Sequence, residues 1–154
     1  MNHRDVYDAF APLVTDFASA QSLKVAYQGL NFDPPSEGLW LELRDFRNGG
    51  MDYGMSDFGP ATVMGFFRVL VNSRPGFGIN SGTDIAELLV SEIPKGTEIG
   101  PARIERTPEI GGPIEDDSVI MQPVTFRYRG TRVQPNSRVF VLIGEGPGSY
   151  LEAT

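Results

Sequence analysis

Residues 95–130, KGTEIGPARIERTPEIGGPIEDDSVIMQPVTFRYRG, decide the fold. Residues 102–107 (ARIERT) and 118–129 read as two strands, and the Pro/Gly-rich segment 108–117 (PEIGGPIEDD) reads as an irregular connector between them. Pro123 inside the second strand predicts a bulge or a sheet edge, because proline has no N–H for a ladder. Nothing in this stretch resembles catalytic equipment.

Upstream of it, Ser81 or Thr83 is placed to cap a helix that runs through Ile93, with Ile85, Leu88, Leu89 and Ile93 as its apolar stripe. Pro94 ends it. Residues 62–73 (TVMGFFRVLVNS) are apolar on both alternating faces, as a central strand should be. Residues 38–46 alternate cleanly: Leu39, Leu41 and Leu43 face one way, and Trp40, Glu42, Arg44 and Phe46 face the other. Residues 23–28 (LKVAYQ) form a short first strand, followed by a bend around Pro34 and Pro35. Residues 4–20 carry Val6, Phe10, Leu13, Val14 and Phe17 at helical spacing, with Pro12 expected to kink or restart the helix. Beyond residue 130, residues 138–143 (RVFVLI) read as one more strand, and 144–154 as a mobile tail.

The expected architecture is α/β (α+β), in the order α-β-β-β-α-β-β-β. A mixed, mostly antiparallel sheet has two helices packed on one face. The other face, with Trp40 and part of strand 62–73, lacks a cover, and an uncovered apolar face calls for a partner.

Composition narrows the chemistry. A chain of 154 residues fits one domain: 1–130 as its body, 131–154 as an added strand and tail. There is no cysteine, and the single histidine is His3, so thiolate metal sites, cysteine nucleophiles and histidine-assisted triads have no residues to use. No apolar run is long enough to span a membrane, and no secretory signal is recognisable. The net charge of −7 argues against wrapping nucleic acid but suits a wall past which DNA slides without sticking.

Other candidate sites have bland readings. Glu115, Asp116 and Asp117 fit a solvated acidic turn. The segment RPGFGINSG (74–82) leads to a helix N-terminus, where an anion site is physically possible, but it lacks P-loop spacing and a turn plus helix cap explains it. Arg103, Arg106, Arg127 and Arg129 suggest a basic stripe, or more simply cross-strand pairs with Glu105 and other acids. The segment 47–61 (RNGGMDYGMSDFGPA) is long for a connection and rich in Met and aromatic residues. It reads either as a functional loop or as a flap over its own sheet.

The helix at 4–20, NFDPP followed by LWLELR, GFFRVLV, DIAELLVSEIPKGT, ARIERTPEI and DSVIMQPVTFRYRG occur in an order that resembles the tail terminator family of lambda-like, long non-contractile-tailed bacteriophages. The likeness spans about residues 4–130. It implies a structural virion protein, not an enzyme, with no cofactor and no metal. Six copies would form a ring on the head-proximal end of the tail tube, stop its growth and offer a surface for head joining. Partners would be itself, the tail tube protein and a head–tail connector protein; DNA would pass through unbound, and no membrane is involved. The virion tail is the expected location, with assembly in the host cytoplasm. Phe46, Met51, Tyr53, Met55, Phe58 and Trp40 are the candidate interface residues, and Asp52 and Asp57 the candidate bore lining. Two competing readings are a head-closure connector of the phage neck and a small α/β ligand-binding domain or enzyme.

Overall fold

The computed structural model describes residues 3–48, 61–116 and 118–132. Helix α1 (His3–Ala20) precedes strands β1 (Lys24–Tyr27), β2 (Trp40–Asn48) and β3 (Ala61–Ser73). Helix α2 (Asn80–Glu92) follows, and then β4 (Glu98–Ile99), β5 (Ala102–Ile104), β6 (Glu109–Ile110), β7 (Ile114–Glu115) and β8 (Ile120–Arg132). This is the α+β fold expected, with one mixed sheet in the order β1-β2-β3-β8-β5-β4. Among the described strands only the β1–β2 pairing is parallel. Three short strands (β5, β6 and β7) line up one after another along the outer edge of β8. The connector 108–117 is therefore not irregular throughout: it holds β6 and β7.

Strand alternation divides β3 between two environments. Val63, Phe67, Val69 and Val71 are buried with Val6, Phe10 and Val14 of α1 and Ala86 and Leu89 of α2. Leu41 and Leu43 of β2 and Val124, Phe126 and Tyr128 of β8 join that core. Its centre is aromatic. Phe10 stacks on Phe67 with ring centroids 4.3 Å apart and an interplanar angle of 2°. Phe67 in turn stacks on Tyr128 at 5.1 Å. Gly65 makes room for this: a Cβ there would lie 2.5 Å from the Phe46 carbonyl oxygen and 2.7 Å from the Tyr128 hydroxyl.

Two local expectations are narrowed and two are corrected. Helix α1 continues through Pro12. Pro12 and Asp8 are both exposed, so the Asp8 carbonyl left without an N–H can face water. Of the two alternatives for Pro123 the edge is excluded, since β8 lies between β3 and the short strands, while the outer ladder gains one residue between Ile110↔Val124 and Ile114↔Met121, a bulge opposite the proline. Its carbonyl accepts from Gly111 N–H at 2.8 Å, so its missing N–H also faces the gap between β6 and β7, where the outer ladder is interrupted anyway. Neither Ser81 nor Thr83 caps α2; Ile79 occupies the cap position with no side-chain bond. The buried stripe of α2 is Gly82, Ala86 and Leu89, continued by Ile93, while Leu88 is exposed. Gly82 is what the packing requires, since a Cβ there would come within 2.4 Å of Gln122 Nε2.

Helix α1 ends on Ser22, whose φ of 59° is left-handed, and Leu23 N–H closes the turn on the Ala18 carbonyl at 2.8 Å. The expected strand 138–143, the tail, and the loop residues 49–60 lie outside the described residues.

Candidate functional site: the sheet face away from the helices

The even-numbered residues of β2 and β3 and the odd-numbered residues of β8 share the face opposite both helices. Register fixes which of them meet. Phe46, Phe66 and Arg127 form one row across β2, β3 and β8, and Arg44, Arg68 and Thr125 form the next. Phe46 and Phe66 stack at 4.8 Å with an interplanar angle of 13°. The Arg68 guanidinium lies over both rings, at 5.3 and 5.4 Å from their centroids. Arg127 covers Phe66 from the other side at 5.4 Å. A guanidinium over a ring is attracted by the ring quadrupole.

Electrostatics distinguish these arginines. Arg127 pairs with Glu109 at 3.4 Å, Arg129 with Glu105 at 3.3 Å and Arg103 with Glu98 at 4.0 Å. These cross-strand pairs are the simpler of the two accounts given for the basic residues. Arg44 pairs with Glu42 at 2.7 Å. Arg68 sits directly opposite Arg44, a like-charge juxtaposition that disfavours pairing. Its Nε is buried with no hydrogen-bond partner among the described residues. The face thus holds an aromatic pair under a cation whose donors are incompletely met, which suits contact with another protein surface rather than water.

Trp40 lies at the far end of the same face, and here the expectation of an uncovered residue is corrected. It is 4% exposed. The Arg74 guanidinium lies 4.9 Å from its ring centroid. Arg74 also donates from Nη2 and Nε to the Pro35 carbonyl at 2.8 and 3.2 Å, and from Nη1 to the Ser118 carbonyl at 3.2 Å. One side chain ties the proline bend to the start of β8 and covers the indole. Trp40 is shielded within its own chain, so a partner arriving at this end meets Arg74 first. Of the other sequence candidates, Met51, Tyr53, Met55, Phe58, Asp52 and Asp57 lie outside the described residues. β2 ends and β3 begins at the Phe46–Phe66 end of the sheet, so the chain carrying those residues departs from there.

The acidic turn shows no special chemistry. Asp116 Oδ1 accepts the backbone N–H groups of Ser118 and Val119, each at 2.9 Å. Those two bonds, Ser118 first, hold its carboxyl below the ordinary range. Among the described residues no cluster of acidic or histidine side chains is arranged to hold a metal ion. No helix among them is long and apolar enough to cross a membrane.

Sequence reading missed Phe66, Arg68 and Arg74. Phe66 and Arg68 were visible as alternating residues of GFFRVLV, but only register shows that they meet Phe46. Arg74 carried no signal, because its partners lie 39 and 44 residues away.

The fold and this face define a class: an α+β protein whose distinctive surface is an aromatic and arginine-rich sheet face. The family model for phage tail terminator proteins matches residues 5–128, and the chain belongs to that family. The chain is accordingly a structural component of a bacteriophage tail. Eight chains among solved structures match, one of them at a TM-score of 0.69 and 24% identity, covering 84% of this protein and 96% of its own length, a likeness that speaks for the fold. None of the curated proteins matches.

Proposed function

We propose that this protein terminates the tail: copies close into a ring, most simply of six, on the head-proximal end of the tail tube. The ring stops tube polymerisation and offers its opposite surface to a head–tail connector protein. It acts without catalysis. The family match over residues 5–128 is the observation that carries this reading. The face built by Phe46, Phe66, Arg68 and Arg127 supports it, because an aromatic pair and an under-satisfied guanidinium gain from burial against a neighbour. Phe46 is then an interface residue, joined by Met51, Tyr53, Met55 and Phe58 from the connected segment. Trp40 contributes indirectly, by supporting Arg74.

Head-to-tail contacts close into a ring when the rotation between neighbours divides the circle. Each copy carries −7, so the ring is strongly acidic, and DNA passes without binding. Asp52 and Asp57 line the bore in this arrangement.

Electron microscopy of lysates from a phage lacking this protein tests the reading. Overlong, headless tails are expected. Tails of normal length lying beside filled heads would overturn it and favour a connector role instead.

A further inference from the structure

A second site lies on the helix side of the sheet, away from the aromatic face. Leu39 and Ser73 continue the helix-facing series of β2 and β3, and with the first turn of α2 they enclose a cavity of about 330 Å³. Its other lining residues are Glu37, Gly38, Arg74, Phe77, Gly78 and Ser81.

The first turn of α2 is bare. Its first intrahelical bond runs from Thr83 N–H to the Ile79 carbonyl at 3.0 Å. The N–H groups of Asn80, Ser81 and Gly82 therefore precede the ladder, and no side chain caps them. Gln122 pins the helix start, but through other groups: its Nε2 donates to the Ile79 carbonyl at 3.0 Å, and its Oε1 lies 2.8 Å from the Thr83 hydroxyl. There is no acidic residue in the first turn to complement the helix dipole.

A separate observation points to a ligand. Ser73 is 5% exposed and lines the cavity, and its Oγ has no hydrogen-bond partner among the described residues. A buried hydroxyl is normally satisfied. Arg74 adds a positive charge. Its three bonds to carbonyls leave two of the guanidinium's five donors. Phe77 at the cavity wall is 76% exposed, and Ile79 beside it is exposed as well. Donors at the back and apolar surface at the mouth select an anion carried on an apolar body. Glu37, exposed at the rim, disfavours a multiply charged anion such as phosphate.

We infer that this cavity receives a carboxylate side chain flanked by an apolar residue, presented by a neighbouring protein in the tail. The identity of the occupant as a protein rests on the assembly role proposed above; the anion-binding chemistry does not. The chain itself supplies such groups, with 20 acidic residues against 13 basic ones.

The test follows the backbone amide signals of Asn80, Ser81 and Gly82 by NMR during titration with acetyl-Leu-Glu-amide. Acetyl-Leu-Gln-amide and sodium acetate serve as comparisons. The Glu peptide is expected to move these three amides saturably, with at least tenfold weaker binding by the other two. Ser81→Asp, which places a carboxylate in the first turn, is expected to abolish peptide binding and raise Tm. Glu37→Gln is expected to tighten it severalfold. Equal binding of the Glu and Gln peptides overturns the carboxylate assignment. Acetate binding as tightly as the Glu peptide overturns the protein occupant in favour of a free anion. Unmoved amides overturn the site. Each outcome is read on the isolated protein, independently of tail length, so a failure here is distinguishable from a failure of the terminator reading.

Discussion

The two faces of one sheet are built by different rules. On the helix face β3 contributes Val63, Phe67, Val69 and Val71, all closed off beneath α1 and α2. On the opposite face the same strand buries Thr62, Leu70 and Asn72 but leaves Met64, Phe66 and Arg68 partly exposed, and Arg68 Nε has no partner among the described residues. The first face buries its apolar side chains within the chain. The second holds aromatic surface and charge that stay partly exposed in the isolated chain. A strand apolar on both sides thus serves the core on one face and, in the proposed terminator role, assembly on the other.

The largest contrast comes from truncating one phenylalanine on each face. Phe10→Ala removes the ring stacked on Phe67 and leaves a cavity in the core. It is expected to cost about 3–5 kcal/mol. Phe66→Ala on the open face is expected to cost about 1 kcal/mol, the scale of a lost aromatic pair, yet to leave phage with overlong tails. Urea unfolding and tail-length measurement on both variants check the pair. Equal stability losses would mean that the two faces do not differ in kind.

A smaller effect sharpens the description of the helix face. Tyr128 is held protonated chiefly by burial and then by the nearby Asp45 charge, partly offset by Arg47, and its pKa is pushed up to about 12. The folded state therefore keeps a proton that the unfolded chain releases near its ordinary value of 10.0. This contribution is fully present below pH 10 and is lost as pH rises from 10 to about 12. Urea unfolding at pH 9 and pH 11.5 should show this loss in the parent, and a shallower loss in Tyr128→Phe.

The smallest effect lies at the end of α1. Ser22 holds a left-handed φ of 59° that glycine adopts without strain. Ser22→Gly is expected to stabilise the protein by about 0.5–1 kcal/mol, read as a rise in Tm with no change in assembly.

Alternation carried most of what was legible in the sequence. Leu41 and Leu43 against Trp40 and Phe46 gave the two faces of β2, and the apolar spacing of Val6, Phe10, Val14 and Phe17 gave α1. Contacts that depend on register or on distant partners were not legible. Phe66 meets Phe46 only because Asn48 pairs with Met64 further along the hairpin. Arg74 reaches Trp40 only because the proline bend folds back to it. The start of α2 was misread for a physical reason: Ser81 and Thr83 are good capping residues, but Gln122 positions the helix from outside, through the Ile79 carbonyl. Pro123 left a bulge and an edge open, and only the register on both sides of β8 decides for an interruption of the outer ladder.

A cryo-EM reconstruction of the intact virion neck tests the central claim most directly. The expected result is a ring of this chain at the head-proximal end of the tube, with Phe46, Phe66 and Arg68 buried against a neighbouring subunit. A neck without such a ring, or a ring that leaves that face in solvent, would contradict the account.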